Sequence, residues 1–243
     1  MLNHYKTEFI IFHSRYHKMK PEDFPLQRGD LHLTLARYVK NLGAWQDSTL
    51  TMERHVNNIT RSCYHHIRNI GKIRNNITTD ACRTLVQATI TSRLDYANAL
   101  LYGLPKSLIS RLQRVQHSAA RLISRTKKHD HITPVMIELD WLPVESRVKY
   151  KVLLYVYKVV HGSAPSYLQD MLSVCRPTRA LRSASQSLLS VPKARTVTYG
   201  DRSFRVAAPT LWNMLPDYLK NAPTERMFKK QLKTHLFKLA YHF

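Results

Sequence analysis

The chain of 243 residues is strongly basic, with 38 Lys and Arg against 16 Asp and Glu and a formal net charge of +22 at pH 7. Its hydrophobic fraction of 44% excludes a disordered polyelectrolyte, because enough apolar side chains are present to build a core. A folded chain of this charge is best matched by a polyanion, so nucleic acid is the expected partner. Anionic membranes and acidic proteins stay open as alternatives.

The cysteine content and the hydropathy of the chain indicate in which cellular compartment it is found. Three widely separated cysteines are typical of a reducing environment and not of a disulfide framework. The most apolar stretch, 152–160, is far shorter than the roughly 18 residues that a membrane span needs. We expect an intracellular protein, in the nucleus and/or the cytoplasm, that is not secreted and has no membrane partner.

The first 50 residues have the pattern of short strands. Residues 8–12 are a short apolar run, and Leu31, Leu33 and Leu35 alternate with polar residues. The segment 39–43 then ends in a turn residue, Gly43. Alternation bounded by turn residues favours a small antiparallel unit.

From about residue 51 the hydrophobic period becomes helical. The first predicted helix ends near Gly71, and the second is capped at its start by Thr79 or Asp80. A third helix begins at Pro105 and runs to about Arg125. The polar faces of the first and third helices are basic. We predict that these faces bind nucleic acid through Arg54, Arg61, Arg68, Lys72, Arg111, Arg114, Arg121, Arg125, Lys127 and Lys128.

Beyond a connector at 126–133, the chain again favours helices. Short helices are predicted up to Leu139 and from Pro165 to Leu172, with a longer one from Pro143 to Gly162. Residues 188–199 favour a β-hairpin. The last helix is predicted to start at a Thr224 cap and to bury four apolar residues. These are Phe228, Leu232, Leu236 and Leu239. The fold class is therefore mainly α with a small β part.

The sequence shows no strong pattern of catalytic or metal-binding residues. The ten aspartates are scattered and no two are adjacent, whereas two-metal nucleotidyl transfer needs clustered carboxylates. His13 and His17 have helical ligand spacing, but no third ligand is placed beside them, so no metal site is predicted. Four tyrosines are candidates for stacking on bases, with burial as the alternative. They are Tyr38, Tyr64, Tyr96 and Tyr102.

Residues 92–105, SRLDYANALLYGLP, closely resemble the region that follows the palm in LINE-type (non-LTR, jockey-like) retrotransposon reverse transcriptases. Further strings are similar in the same order. They are LQRVQ followed by AAR at 112–121, DHITP at 130–134, WLPV at 141–144, APSYL at 164–168, LRS at 181–183, YGDR at 199–202, AAPTLWNMLP at 207–216 and FKKQLKT at 228–234. One such string is a weak signal, but this many in one order form a strong one.

The resemblance implies a C-terminal part of such a polymerase in three segments. Residues 1–50 would be the end of the palm, 51–128 a thumb-like helical bundle and 129–243 the C-terminal α-rich region. Lys6 would correspond to the lysine near the incoming nucleotide, and Leu42 with Gly43 to the primer-grip hairpin. The implied partners are RNA and DNA as template–primer, together with upstream parts of the same polyprotein.

The chain departs from the family in its catalytic parts. The two carboxylate motifs of the family have no counterpart here, so no complete catalytic set is predicted. The parent enzyme would use Mg²⁺, and no cofactor is expected for this fragment. Ala97 and Asp140 replace a common Cys and a common His. Two alternatives stay open: a co-opted, non-enzymatic nucleic-acid-binding protein, or a pseudogene product without selected function.

We predict that the purified chain does not extend a primer. With Mg²⁺, deoxynucleotides and an RNA template annealed to a DNA primer, no incorporation above background is expected, because carboxylates that hold two cations are required for this chemistry. A primer-extension gel tests this, with an active reverse transcriptase as control. Template-dependent extension would overturn it.

Overall fold

The computed structural model describes residues 7–14, 16, 27–28, 31–32, 35–175 and 188–242. The chain divides into two compact units, Met1–Ile59 and Thr60–Phe243. The predicted fold class, mainly helical with a small antiparallel β part, is confirmed. No helix in the described ranges is both long and apolar enough to cross a membrane.

The first unit contains two small antiparallel pairs. Strand β1 (Gln27–Arg28) pairs with β2 (Leu31–His32), and β3 (Tyr38–Asn41) pairs with β4 (Ala44–Asp47). Leu42 and Gly43 join β3 to β4 with φ angles of 45° and 86°. Two central residues with positive φ give a turn whose twist matches that of the flanking strands. The predicted antiparallel unit is therefore present at 38–47.

The predicted strand at 8–12 is wrong. In that run the structure has a single bridge, from Phe9 to Leu35, and Phe12 is exposed. An apolar run without a second paired neighbour cannot bury both of its faces.

Helix α1 (Glu53–Ile73) begins in the first unit directly after a turn that the Asp47 carboxylate holds. Asp47 is buried, and its oxygens accept hydrogen bonds from the backbone N–H of Thr51 and Met52, each 2.8 Å long, and of Thr49. The hydroxyls of Thr49 and Thr51 add two more. Burial alone would raise the pKa of Asp47, but these hydrogen bonds outweigh it and lower the pKa below its usual value. An anion here also complements the helix dipole.

The second unit is helical. Its elements after α1 are α2 (Thr79–Val86), α3 (Ser92–Asp95), α4 (Lys106–Ser124), α5 (Thr133–Glu138), α6 (Val144–Val160), α7 (Ser166–Gln169), α8 (Phe204–Asn213), α9 (Asp217–Lys220) and α10 (Glu225–Tyr241). A π-type turn at Gln87–Thr91 joins α2 to α3, and a 3-10 turn at Asn98–Leu101 follows α3. The side chain of Thr78 caps α2, so the predicted cap at Thr79 or Asp80 is off by one or two residues.

Helix α6 is the centre of the second core. Its Val156 and Tyr157 pack with Trp212 of α8 and Phe228 of α10, and the ring of Tyr157 stacks on that of Phe228 at 4.3 Å between centroids. The Tyr157 hydroxyl donates to the Ala222 carbonyl at 2.9 Å. Because neighbours surround α6 on several sides, it buries more than one stripe of side chains.

Two predictions for the C-terminal region are wrong. Residues 188–199 do not form a hairpin: Leu189 bridges to Val174, and Val197–Asp201 is a π-type turn. Leu239 is exposed, whereas Thr224 does cap α10 as predicted. Helix α8 was not predicted, because Pro209 lies inside it and proline normally ends a helical pattern.

We predict that Asp47→Asn destabilises the first unit by about 2 kcal/mol at neutral pH, because an amide group then faces several N–H and O–H donors. The native pKa is lowered, so the carboxylate stabilises the fold fully above its ordinary pKa of about 3.9. This stabilisation is lost as the pH falls through the lower native pKa.

Urea unfolding at pH 7 and pH 3 measures this effect. Asp170→Asn, a change at an exposed carboxylate, is the matched control and should leave the unfolding free energy within about 0.5 kcal/mol. Equal stability of Asp47→Asn and the parent chain at pH 7 would contradict the role of Asp47 in holding the turn before α1.

Candidate nucleic-acid interface

Three of the predicted cations lie along one face of α1 in the second unit. Arg61, Arg68 and Lys72 are spaced by seven and four residues, which places them on the same side of a helix. All three are exposed, as is His65 between them. We call Arg61, Arg68 and Lys72 the α1 stripe. Because α1 has one acidic residue, Glu53, in its first turn, the rest of the helix has no carboxylate to offset the stripe.

Arg54, the predicted cation in the first unit, has a packing role. Its guanidinium lies 4.0 Å from the ring centroid of Trp45 and 4.6 Å from that of Tyr38. Lys40 is 6.0 Å from the Trp45 ring. Cation–π contacts of this kind attach the first turn of α1 to the β3–β4 hairpin. Arg54 is nevertheless exposed, and Tyr38 is 40% exposed.

Arg74 is a cation that the sequence did not identify. It directly follows α1 and is 6% exposed. Its Nε donates to the Leu122 carbonyl and its Nη2 to the Ile123 carbonyl, both at 2.8 Å. A third bond reaches the Ile77 carbonyl at 3.2 Å. Carbonyls in the last turn of a helix lack partners within the helix, and Arg74 satisfies two of them at the end of α4.

Arg121 and Arg125 also bind the backbone at this end of α4. Arg121 donates to the carbonyls of Lys127 and Asp130, the latter at 2.8 Å, and so holds the connector. Arg125 has a φ of 59° and donates to the Arg74 carbonyl at 3.2 Å. Replacing both arginines would therefore disturb folding as well as any binding.

The ends of α1 and α4 thus meet in one basic region, which we call the basic junction. It comprises Lys72, Arg74, Arg121, Arg125, Lys127 and Lys128. Burial raises the pKa of Cys82, and the charges of Arg74 and Arg125 oppose that rise, which is consistent with a positive local potential. Lys127 and Lys128 are exposed at its surface.

The remaining predicted site residues belong neither to the α1 stripe nor to the basic junction. On α4, Arg114 is exposed and Arg111 is half-buried. Leu42 and Gly43 form the exposed turn of the β3–β4 hairpin, with Leu42 85% exposed. Lys6 lies outside the described residues.

Burial raises the pKa of Cys63 to about 11, with Arg93 opposing, so this thiol is protonated at neutral pH. Within the described ranges, no three His, Cys, Asp or Glu side chains come together as metal ligands.

The chain was compared with protein-family models, with curated proteins and with solved structures. None of them matches it.

We predict that Arg74→Met lowers the free energy of unfolding by about 3 kcal/mol, because the Leu122 and Ile123 carbonyls lose their donors. Lys72→Met is the matched control. It removes one exposed cation two residues away and should change stability by less than about 0.5 kcal/mol. Urea unfolding followed by far-UV circular dichroism measures both, and an equal effect of the two changes would contradict the structural role of Arg74.

Proposed function

We propose that the chain is the C-terminal part of a LINE-type reverse transcriptase and binds the phosphate backbone of RNA and DNA. The helices of residues 51–128 would act as a thumb that follows a template–primer duplex. The ordered strings of residues 92–234 support the family, and the charge of +22 supports the ligand.

The observation that carries the binding proposal is the α1 stripe together with the basic junction. Arg61, Arg68 and Lys72 lie on one helix face, and the fold joins the end of that face to the end of α4. Cations in a row along a rigid helix can contact successive phosphates without reading bases. The proposed binding is therefore independent of sequence.

Salt dependence offers a quantitative signature of this binding mode. Each neutralised phosphate releases condensed counterions, so the logarithm of the affinity falls with the logarithm of the salt concentration by about 0.9 per contact on duplex DNA. If each member of the α1 stripe contacts one phosphate, the stripe contributes a slope of about −2.7.

The test replaces the stripe by the triple variant Arg61→Gln, Arg68→Gln, Lys72→Gln. We expect the slope for a 20-base-pair DNA or RNA–DNA duplex to become shallower by about 2 to 3. Fluorescence anisotropy between 50 and 300 mM salt measures it.

A matched triple variant controls for net charge. Arg226→Gln, Lys230→Gln and Lys238→Gln remove the same three charges from exposed positions of α10. This control should leave the slope within about 1 of the parent value. Equal slopes for the two triple variants would show that overall charge, and not the stripe, drives binding.

A further inference from the structure

A cavity of about 420 Å³ lies in the second unit, away from the α1 stripe and the basic junction. It is lined by residues of α3, of the 3-10 turn after it, of the loop before α6, of α6 itself and of α10. The residues that matter for its chemistry are Asp95, Asn98, Trp141, Arg147, Tyr150 and Lys151. A volume of this size is in the range that holds a small ligand.

Asn98 lines the cavity with a buried amide that is only partly satisfied. It is 3% exposed, and its Nδ2 donates to an Asp95 carboxylate oxygen at 3.4 Å. Its Oδ1 accepts no hydrogen bond from the part of the chain that the structure describes. A buried acceptor without a donor costs free energy, which a ligand N–H would recover.

The charges of the cavity leave one cation for an anionic ligand. Asp95 is paired with Arg147, whose Nε donates to it at 2.8 Å, and Asp140 is paired with Lys233. Lys151 lies one turn after Arg147 on α6, and its ammonium group makes no ion pair among the described residues. An anionic group can therefore be held at Lys151.

Aromatic surface completes the cavity. Trp141 and Tyr150 both line it and are half-buried, so each combines a fixed ring with some access from solvent. Rings of this kind provide stacking surfaces for bases, whichever base is present. The N–H acceptor and the aromatic surface match the base of a nucleotide, and the cation matches its phosphate.

We propose that this cavity binds one unpaired nucleotide of a single-stranded nucleic acid. The base packs against Trp141 or Tyr150 and donates a hydrogen bond to Asn98 Oδ1, and the phosphate binds Lys151. Every base has an N–H donor, so the site accepts any unpaired base and binds an abasic nucleotide more weakly. The inference goes beyond the proposed duplex binding, since its residues belong neither to the α1 stripe nor to the basic junction.

The test follows Trp141 directly. The chain has three tryptophans, so 5-fluorotryptophan labelling gives three ¹⁹F signals, and Trp141→Phe identifies the one from the cavity. The probes are an adenine tetranucleotide in RNA and DNA form and a tetramer of abasic deoxyribose phosphates. We expect the Trp141 signal to shift with either adenine tetramer and not with the abasic one. The tetramer that shifts it more identifies the preferred sugar.

Two substitutions separate the parts of the site. Asn98→Leu and Lys151→Gln should each weaken the binding of the adenine tetramer followed by the Trp141 signal, Asn98→Leu about tenfold. Lys238→Gln, at an exposed position on α10, should leave this binding unchanged. If Asn98→Leu fails to fold, Lys151→Gln and the comparison of adenine with abasic tetramers on the parent chain still test the proposal.

Three results would overturn the proposal. They are equal shifts of Trp141 with adenine and abasic tetramers, undiminished binding by folded Asn98→Leu, and an equal shift with hexaglutamate, which would mark a site for acidic peptides. The failure of each proposal is distinguishable. Duplex binding unaffected by the α1-stripe variant contradicts the proposed interface, while the Trp141 signal reports on the cavity alone.

Discussion

Two ion pairs connect distant segments of the second unit around its packed core, Asp95 with Arg147 and Asp140 with Lys233. They show how this chain uses its few carboxylates. Glu225 likewise connects α10 to Lys158 of α6, at 3.5 Å. With 16 acids for 38 bases, these described carboxylates are engaged at joints, and the helix faces remain positively charged. These pairs are partly or largely exposed, so each contributes little to stability, and their main effect is to place the acids at joints between segments.

Several arginines have backbone carbonyls, and not carboxylates, as their partners. Arg74 is buried and donates to carbonyl oxygens, which carry only partial negative charge, so it stabilises the fold and keeps its own positive charge unneutralised. Arg121 and Arg125 do the same at the surface. The basic junction therefore both stabilises the fold and carries positive charge. Because its arginines are held in place, this charge can act on a polyanion from a fixed geometry. The proposed thumb role and the observed charge are thus consistent with the same class of ligand.

The two proposed sites differ in what they recognise. The α1 stripe presents point charges in a row, which suits a regular backbone, whereas the Asn98 cavity combines a ring surface, a buried acceptor and one cation. In the first unit the carboxylate of Asp47 holds the turn before α1, and the guanidinium of Arg54 packs on the hairpin.

The sequence by itself determined the local features of this protein. The positions of α1, α4 and α10, the Thr224 cap, the turn at Leu42–Gly43 and the basic face of α1 all depend on neighbours within a few residues. Tertiary structure alone decided the rest. The burial of Arg74 depends on carbonyls 48 and 49 residues away. The Asn98 cavity depends on partners as distant as Lys233, and the bridge that replaced the predicted hairpin at 188–199 pairs Leu189 with Val174 of a separate segment. A periodic pattern records which side of a helix is apolar, but not which polar group another segment will bring against it.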